Sequence, residues 1–316
     1  MPTRKLLSIS GSYYVSLPVS WVKSLGLEKG SPLRVEVASD SSIIIKPIMV
    51  ERETEAKSIR ISVDEFLRRR IISAYLSGYD IIEIHGRGVL SETVKSVIYD
   101  VAGSLLGLEV VEDKGDKVIL QCFVGGYRDL SNVIRRMNEI SKSMYRDSIR
   151  ALLNNDKRLA KLVVDRDNVV DKLYFYSVRI IRSSISNLCK LLASGETDGV
   201  KLMDYRFIVH YIERLSDLGE KLANTVMDIL ASGFRADGKI RKSLTRLTDR
   251  LCLLQDNVLV AYSRRNLKLA SESYKLFRSI LSDCERLREE YPELERLFTS
   301  IVEIGSMIID IADLVF

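Results

Sequence analysis

The residues best equipped for chemistry in this chain are four carboxylates in two pairs, Asp167-x-x-x-Asp171 and Glu213-x-x-x-Asp217. A spacing of four sets both acids of a pair on one helix face. Like charges there cost about 0.2–0.5 kcal/mol per pair unless something positive neutralises them. Two such helices lying antiparallel would turn four carboxylates toward one hard cation; the plainer alternative is two solvated charged faces. Asp167 and Asp171 run into an apolar stripe of Tyr174, Val178, Ile181, Ile185 and Leu188, an unusual setting for solvated acids. Glu213 and Asp217 lie opposite the stripe Ile208, Ile212, Leu215, Leu222 and Ile229, so the expected site is open and on the surface of a bundle. His210 shares the face of Glu213 and Asp217 and reads as a surface histidine before it reads as a ligand. No Glu-x-x-His occurs, which removes the usual di-iron oxidase arrangement.

Other constellations are weaker. Gly86-Arg87-Gly88 stands between a strand and a helix, where an anion can sit, but it lacks the third glycine and the P-loop lysine and reads as an ordinary loop. His85 and His210 have no triad context and no G-x-S-x-G is present, so no enzyme is expected. A metal-dependent enzyme using the open carboxylates is the rival from another class. Cys122, Cys189, Cys252 and Cys284 are far apart with no C-x-x-C, which argues against zinc and disulfides and for a reducing cytoplasm. No apolar run approaches the roughly 18 residues of a spanning helix, and the opening MPTRKLLSIS lacks the apolar core of a secretory signal. A cytoplasmic protein without membrane insertion is expected.

The elements that would position these residues fall into three textures. Residues 1–48 alternate apolar and polar over Lys5–Ile9, Tyr13–Leu17, Leu33–Val37 and Ile43–Lys46, with a short helix Pro18–Leu25 closed by Gly26. Residues 49–125 alternate strand and helix: strands Ser58–Val63, Asp80–His85, Glu109–Glu112 and Lys117–Phe123, helices Asp64–Ser77 and Ser91–Leu106, and a hairpin at Lys114-Gly115-Asp116. Residues 126–316 are helical, broken near Asn155–Asp156, Gly195–Gly199, Gly233–Gly238 and Pro292. Within them Asp167-Asn168-Val169 recurs as Asp256-Asn257-Val258, an offset of 89 residues, and Leu222-Ala223 maps onto Ile311-Ala312 at the same offset. The reading is two copies of a three-helix unit, the second keeping Asp256 but carrying Val260, Val302 and Ser306 at the other three acid positions. The fold class is therefore α+β multidomain, with a β N-terminal domain, a small α/β middle domain and a C-terminal all-α pair of three-helix bundles.

Charge follows the same division. The 316 residues carry a net +5, and residues 1–48 hold six basic against three acidic side chains, hence +3. A basic excess in one small module points to a polyanion partner, with Arg4, Lys5 and Lys23 able to contact phosphates. A module of this size forms a poor core alone, so pairing between chains would help it.

The residues then suggest two families. Arg4-Lys5, Gly11-Ser12-Tyr13-Tyr14-Val15-Ser16-Leu17-Pro18, Leu25-Gly26-Leu27-Glu28-Lys29-Gly30 and Ile43-Ile44-Ile45-Lys46-Pro47 resemble the AbrB/SpoVT/MazE swapped-hairpin DNA-binding domain. That resemblance implies an interlocked homodimer gripping DNA through positions matching Arg4, Lys5, Ser12 and Lys23; Ser12 and Val22 stand where bacterial members often have arginines. Asp167-Asn168-Val169-Val170-Asp171-Lys172-Leu173-Tyr174-Phe175 and Tyr211-Ile212-Glu213-Arg214-Leu215-Ser216-Asp217 resemble the two carboxylate motifs of PhoU, the phosphate-uptake regulator. This second resemblance implies a metal at Asp167, Asp171, Glu213 and Asp217, with iron, manganese or magnesium as candidates. The combination is similar to archaeal PhoU-type regulators and implies a DNA-binding regulator of phosphate homeostasis with a metal-binding sensor. The alternative is an adaptor that docks on a phosphate transporter or signalling kinase and uses its head only to dimerise.

Overall fold

The computed structural model describes residues 3–37, 41–47, 56–124, 130–186 and 199–316. They form two compact units, residues 1–55 and 56–316. The expected boundaries at 48–49 and 125–126, the break at 195–198 and Cys189 lie outside the described residues.

The first unit consists of two hairpins around a short helix. Strands β1 (Leu7–Ile9) and β2 (Ser12–Tyr14) pair antiparallel, and the turn between them has positive φ at Ser10 (50°) and Gly11 (81°), the geometry that matches the twist of a tight hairpin. β2 is shorter than the Tyr13–Leu17 run, because Pro18 restricts the backbone before it and opens helix α1 (Val19–Ser24). Strands β3 (Leu33–Val37) and β4 (Ile43–Pro47) form the second hairpin. Among the described residues of this unit none is buried.

The second unit begins as a β-α-β-α-β-β layer. Strands β5 (Ser58–Ser62), β6 (Ile81–His85), β7 (Leu108–Asp113) and β8 (Lys117–Cys122) form one sheet in the order β5-β6-β8-β7, with only the β5–β6 pair parallel. Alternate residues Ile82, Ile84, Val118 and Leu120 point into a core shared with Ile71 and Tyr75 of helix α2 (Leu67–Leu76) and with Ile98 and Val101 of helix α3 (Glu92–Ser104). Ser91 caps α3 by accepting a bond from the Val94 amide. Gly86 and Leu90 bond their amides to Asp116 and Gly115 of the β7–β8 turn, so the glycine-containing segment is tied to a hairpin.

Among the described residues six helices follow: α4 (Leu130–Asn154), α5 (Lys157–Ser186), α6 (Gly199–Ala231), α7 (Gly238–Arg264), α8 (Leu267–Glu290) and α9 (Glu295–Ala312). The first three pack as one bundle and the last three as another; α6 lies against α9 and α4 against α7, and one apolar core runs through both. A polar staple crosses the α4–α7 contact. Gln255 donates to Asn138 and Ser141 at 2.8 and 2.9 Å, and Lys142 reaches Asp256 at 2.5 Å. The α/β layer is joined to the first bundle by Arg179 of α5, which is buried and donates to the carbonyls of Tyr75 and Tyr79 (2.6 and 2.8 Å) and to Asp80 (2.9 Å).

The bundles correct the repeat register. Asn155 and Arg265, both in the left-handed region (φ 57° and 47°), occupy the turns before α5 and α8, and Asp156 and Asn266 cap the helices that follow. Their separation is 110 residues, and residues 161–170 and 271–280 share one burial pattern. Asp167 therefore corresponds to Phe277 and Asp171 to Leu281, whereas Asp256 lies on the first helix of its bundle. The offset of 89 holds only for α6 against α9, where Leu215, Leu222 and Ala223 match Ile304, Ile311 and Ala312, all buried. The unforeseen break at Arg265-Asn266, which contains neither glycine nor proline, caused the misalignment.

Candidate metal centre

Helix α5 supplies Asp167 and Asp171, and α6, packed along it, supplies Glu213 and Asp217. Small residues on α6 let it approach both α4 and α5. A Cβ on Gly219 would stand 3.0 Å from that of Met144 on α4, and Ser216 at the next inward position donates to Asp167 Oδ1 at 2.7 Å. Arg214 pairs with Asp217 at 2.8 Å on the solvent side.

The carboxylates act on one another across the α5–α6 contact. Burial pushes Asp171 up to about 6, helped by the charges of Asp167, Asp217 and Glu220. Burial pushes Glu213 up to about 7, with Asp217 and Asp171 adding to it. Asp167 is raised by burial against the opposing bond from Ser216, and Glu220 by burial and the charges of Asp167 and Asp217. Glu213 Oε2 is buried with no hydrogen-bond partner, and His210 Nδ1 stands 3.6 Å from it. His210 is itself held below its ordinary value by burial and by Arg206 and Arg214.

Two sequence expectations change here. Glu213 is not on an open face, because its side chain is only 20% exposed and lies in the α5–α6 seam. Glu220 is an additional carboxylate, and its place three residues after Asp217 and seven after Glu213 on the same helix was available as a signal. Among the described residues no three His, Cys, Asp or Glu side chains are disposed to hold a metal ion as they stand. The donor set of carboxylate oxygens, one of them orphaned, fits a hard cation.

The nucleic-acid candidates lie in the first unit. Arg4 and Lys5 precede β1, Ser12 pairs with Ile9 across the first hairpin and Lys23 lies in the last turn of α1; all four are exposed. Among the described residues no helix is long and apolar enough to cross a membrane.

Comparison with known proteins agrees with this division. Residues 134–226 match the PhoU domain, and residues 6–53 match MazE, a bacterial antitoxin described as antidote–toxin recognition. The chain is 25% identical over 183 residues to a phosphate-specific transport system accessory protein PhoU homolog of Rhizobium meliloti (strain 1021), covering 58% of this chain and 69% of that one. A crystal structure of PhoU from Pseudomonas aeruginosa superposes with a TM-score of 0.47 at 17% identity, covering 59% of this chain and 93% of the other. The chain carries a PhoU domain and an N-terminal MazE/AbrB-like domain.

Proposed function

We propose that this protein regulates phosphate homeostasis, with the head binding operator DNA as a homodimer and the first helical bundle binding a metal ion as its sensor. The observation that carries the reading is the pairing, in one chain, of a MazE/AbrB-like head with a PhoU domain whose α5–α6 seam gathers five carboxylates. Burying acids together raises their pKa values and opposes folding near neutral pH unless a cation compensates. Asp167, Asp171, Glu213 and Asp217 would hold the ion, with Glu220 beside them, after side-chain rotation within the seam. A bound cation would supply positive charge that ties α5 to α6.

Dimerisation is supported by apolar exposure in the head. Leu7, Ile9, Tyr13, Val35, Val37 and Ile43 are each more than half exposed in the single chain. Two interlocked copies would cover this surface, and Arg4, Lys5 and Lys23 would contact phosphates while Ser12 faces the duplex. The rival is an adaptor that contacts a phosphate transporter or signalling protein through its helices.

Affinity for phosphate-gene promoter DNA, measured against salt concentration, separates the two. A regulator gives a negative log–log slope that flattens by about 0.9 for each phosphate contact removed in Arg4→Ala, Lys5→Ala and Lys23→Ala. Absence of promoter binding by the parent favours the adaptor.

A further inference from the structure

Outside the head, basic side chains are concentrated at one end of the helical bundles. Residues 146–158 and 235–250 hold ten basic and four acidic side chains, a net +6 against +5 for the whole chain, so everything outside these segments sums to −1. The segments adjoin in space. Arg241 donates to the carbonyl of Leu153, Arg235 donates to Asn155 Oδ1 at 2.7 Å, and Arg146 lies beside Cys252 of α7.

The nearby acids do not cancel this charge. Asp156 and Asp237 accept bonds from the amides of the helices they cap, and Asp147 is held by Arg150 and Arg166. From α8, Glu290 pairs with Lys239 and Asp283 with Arg250. Asp249, beside Arg246 and Arg250, is the remaining acid of the two segments. Among the described residues Arg241, Lys242 and Arg246 on α7, Lys157 and Arg158 at the start of α5, and Arg235 on the turn before α7 are exposed and have no carboxylate partner. No large apolar side chain is exposed in either segment.

We propose that this α4–α7 end is a second nucleic-acid contact, a sequence-independent cradle for duplex phosphates that acts in addition to the head. Arginines outnumber lysines four to two among the unpaired cations, and the guanidinium fork matches phosphate oxygens. An anionic membrane would also attract the charge, but a lipid-seated surface gains from apolar insertion, which this end does not offer. The cradle lends affinity and salt dependence, and the head would choose the sequence.

The test uses the full chain with a duplex of random sequence, comparing the parent, Arg241→Gln/Lys242→Gln/Arg246→Gln, the head triple Arg4→Ala/Lys5→Ala/Lys23→Ala, and both triples together. The patch triple is expected to weaken binding about tenfold and to flatten the log–log salt slope by roughly 2–3, since each lost phosphate contact removes about 0.9. A charge-conserving Arg241→Lys/Arg246→Lys variant should keep most of the slope, which separates charge loss from misfolding. Loss in the patch triple with no effect of the head triple would sustain this inference while removing the head's role. A patch triple that binds like the parent overturns it, whatever the head does. A parent that binds anionic phospholipid vesicles but not the duplex also overturns it.

Discussion

Residues 161–170 of the first bundle and 271–280 of the second are buried in the same order, position by position, yet the two helices use their inward half-buried positions in opposite ways. In the first bundle Asp167 meets Ser216; in the second Phe277 meets Gly305, where a Cβ would stand 2.5 Å from the ring. Asp171, Glu213 and Asp217 are answered by Leu281, Val302 and Ser306. One scaffold thus carries a seam of acids whose burial is unfavourable without a cation and, in its other half, a seam closed by apolar packing. The backbone arrangement does not by itself create the candidate centre; the side chains at four equivalent positions do.

The harshest way to break this contrast is to put the first bundle's chemistry into the second. Phe277→Asp buries an unpaired charge against Gly305 and should cost about 3–5 kcal/mol, read as a lower urea midpoint. Asp167→Asn, which can keep its bond with Ser216, should cost under 1 kcal/mol. A loss of similar size in both would mean that the bundles are built alike.

Cations should discriminate next. Manganese at a hundred times its Kd should stabilise the parent by about 2.7 kcal/mol, and Asp171→Asn should forfeit most of that gain. A parent melting temperature that ignores manganese, iron and magnesium removes the reason for the buried acids.

The pH dependence comes third. The folded pKa values of Asp171 and Glu213, about 6 and about 7, are raised above their unfolded ones. Their contribution to stability is therefore fully present below the unfolded values, near pH 4, and is lost as pH rises through about 6 and then about 7. Discounted for half-burial, this is about 1–2 kcal/mol for the pair in the metal-free protein. Glu213→Gln should flatten the decline between pH 5 and 8 in melting curves; an unchanged profile contradicts the assignment. Smallest is Glu220→Gln, expected to weaken cation binding only a few-fold in a calorimetric titration, because affinity follows the charge count of the site.

Much of this was legible in the residues. Period-two runs marked β3, β5, β6 and β8, Ser91 announced α3, and spacing by four paired the acids. Three things were not. Arg265 takes a left-handed conformation that favours glycine or asparagine, so the break before α8 carried only the weak sign of Asn266, and the repeat was set one helix out of register. A single helical wheel put Glu213 opposite its own helix's stripe, but α5 lies against that side, and a wheel cannot see a second helix. Nothing in its local sequence marks Arg179, because its partners are carbonyls about a hundred residues away. Local pattern specifies elements; contacts between distant elements decide which polar residues they enclose.

Elemental analysis of the purified parent beside Asp167→Asn/Asp217→Asn measures whether the α5–α6 acids hold a metal ion. Bound iron, manganese or magnesium is expected in the parent and is lost in the double variant, with both chains still folded. Equal metal content in the two would contradict metal binding by these acids.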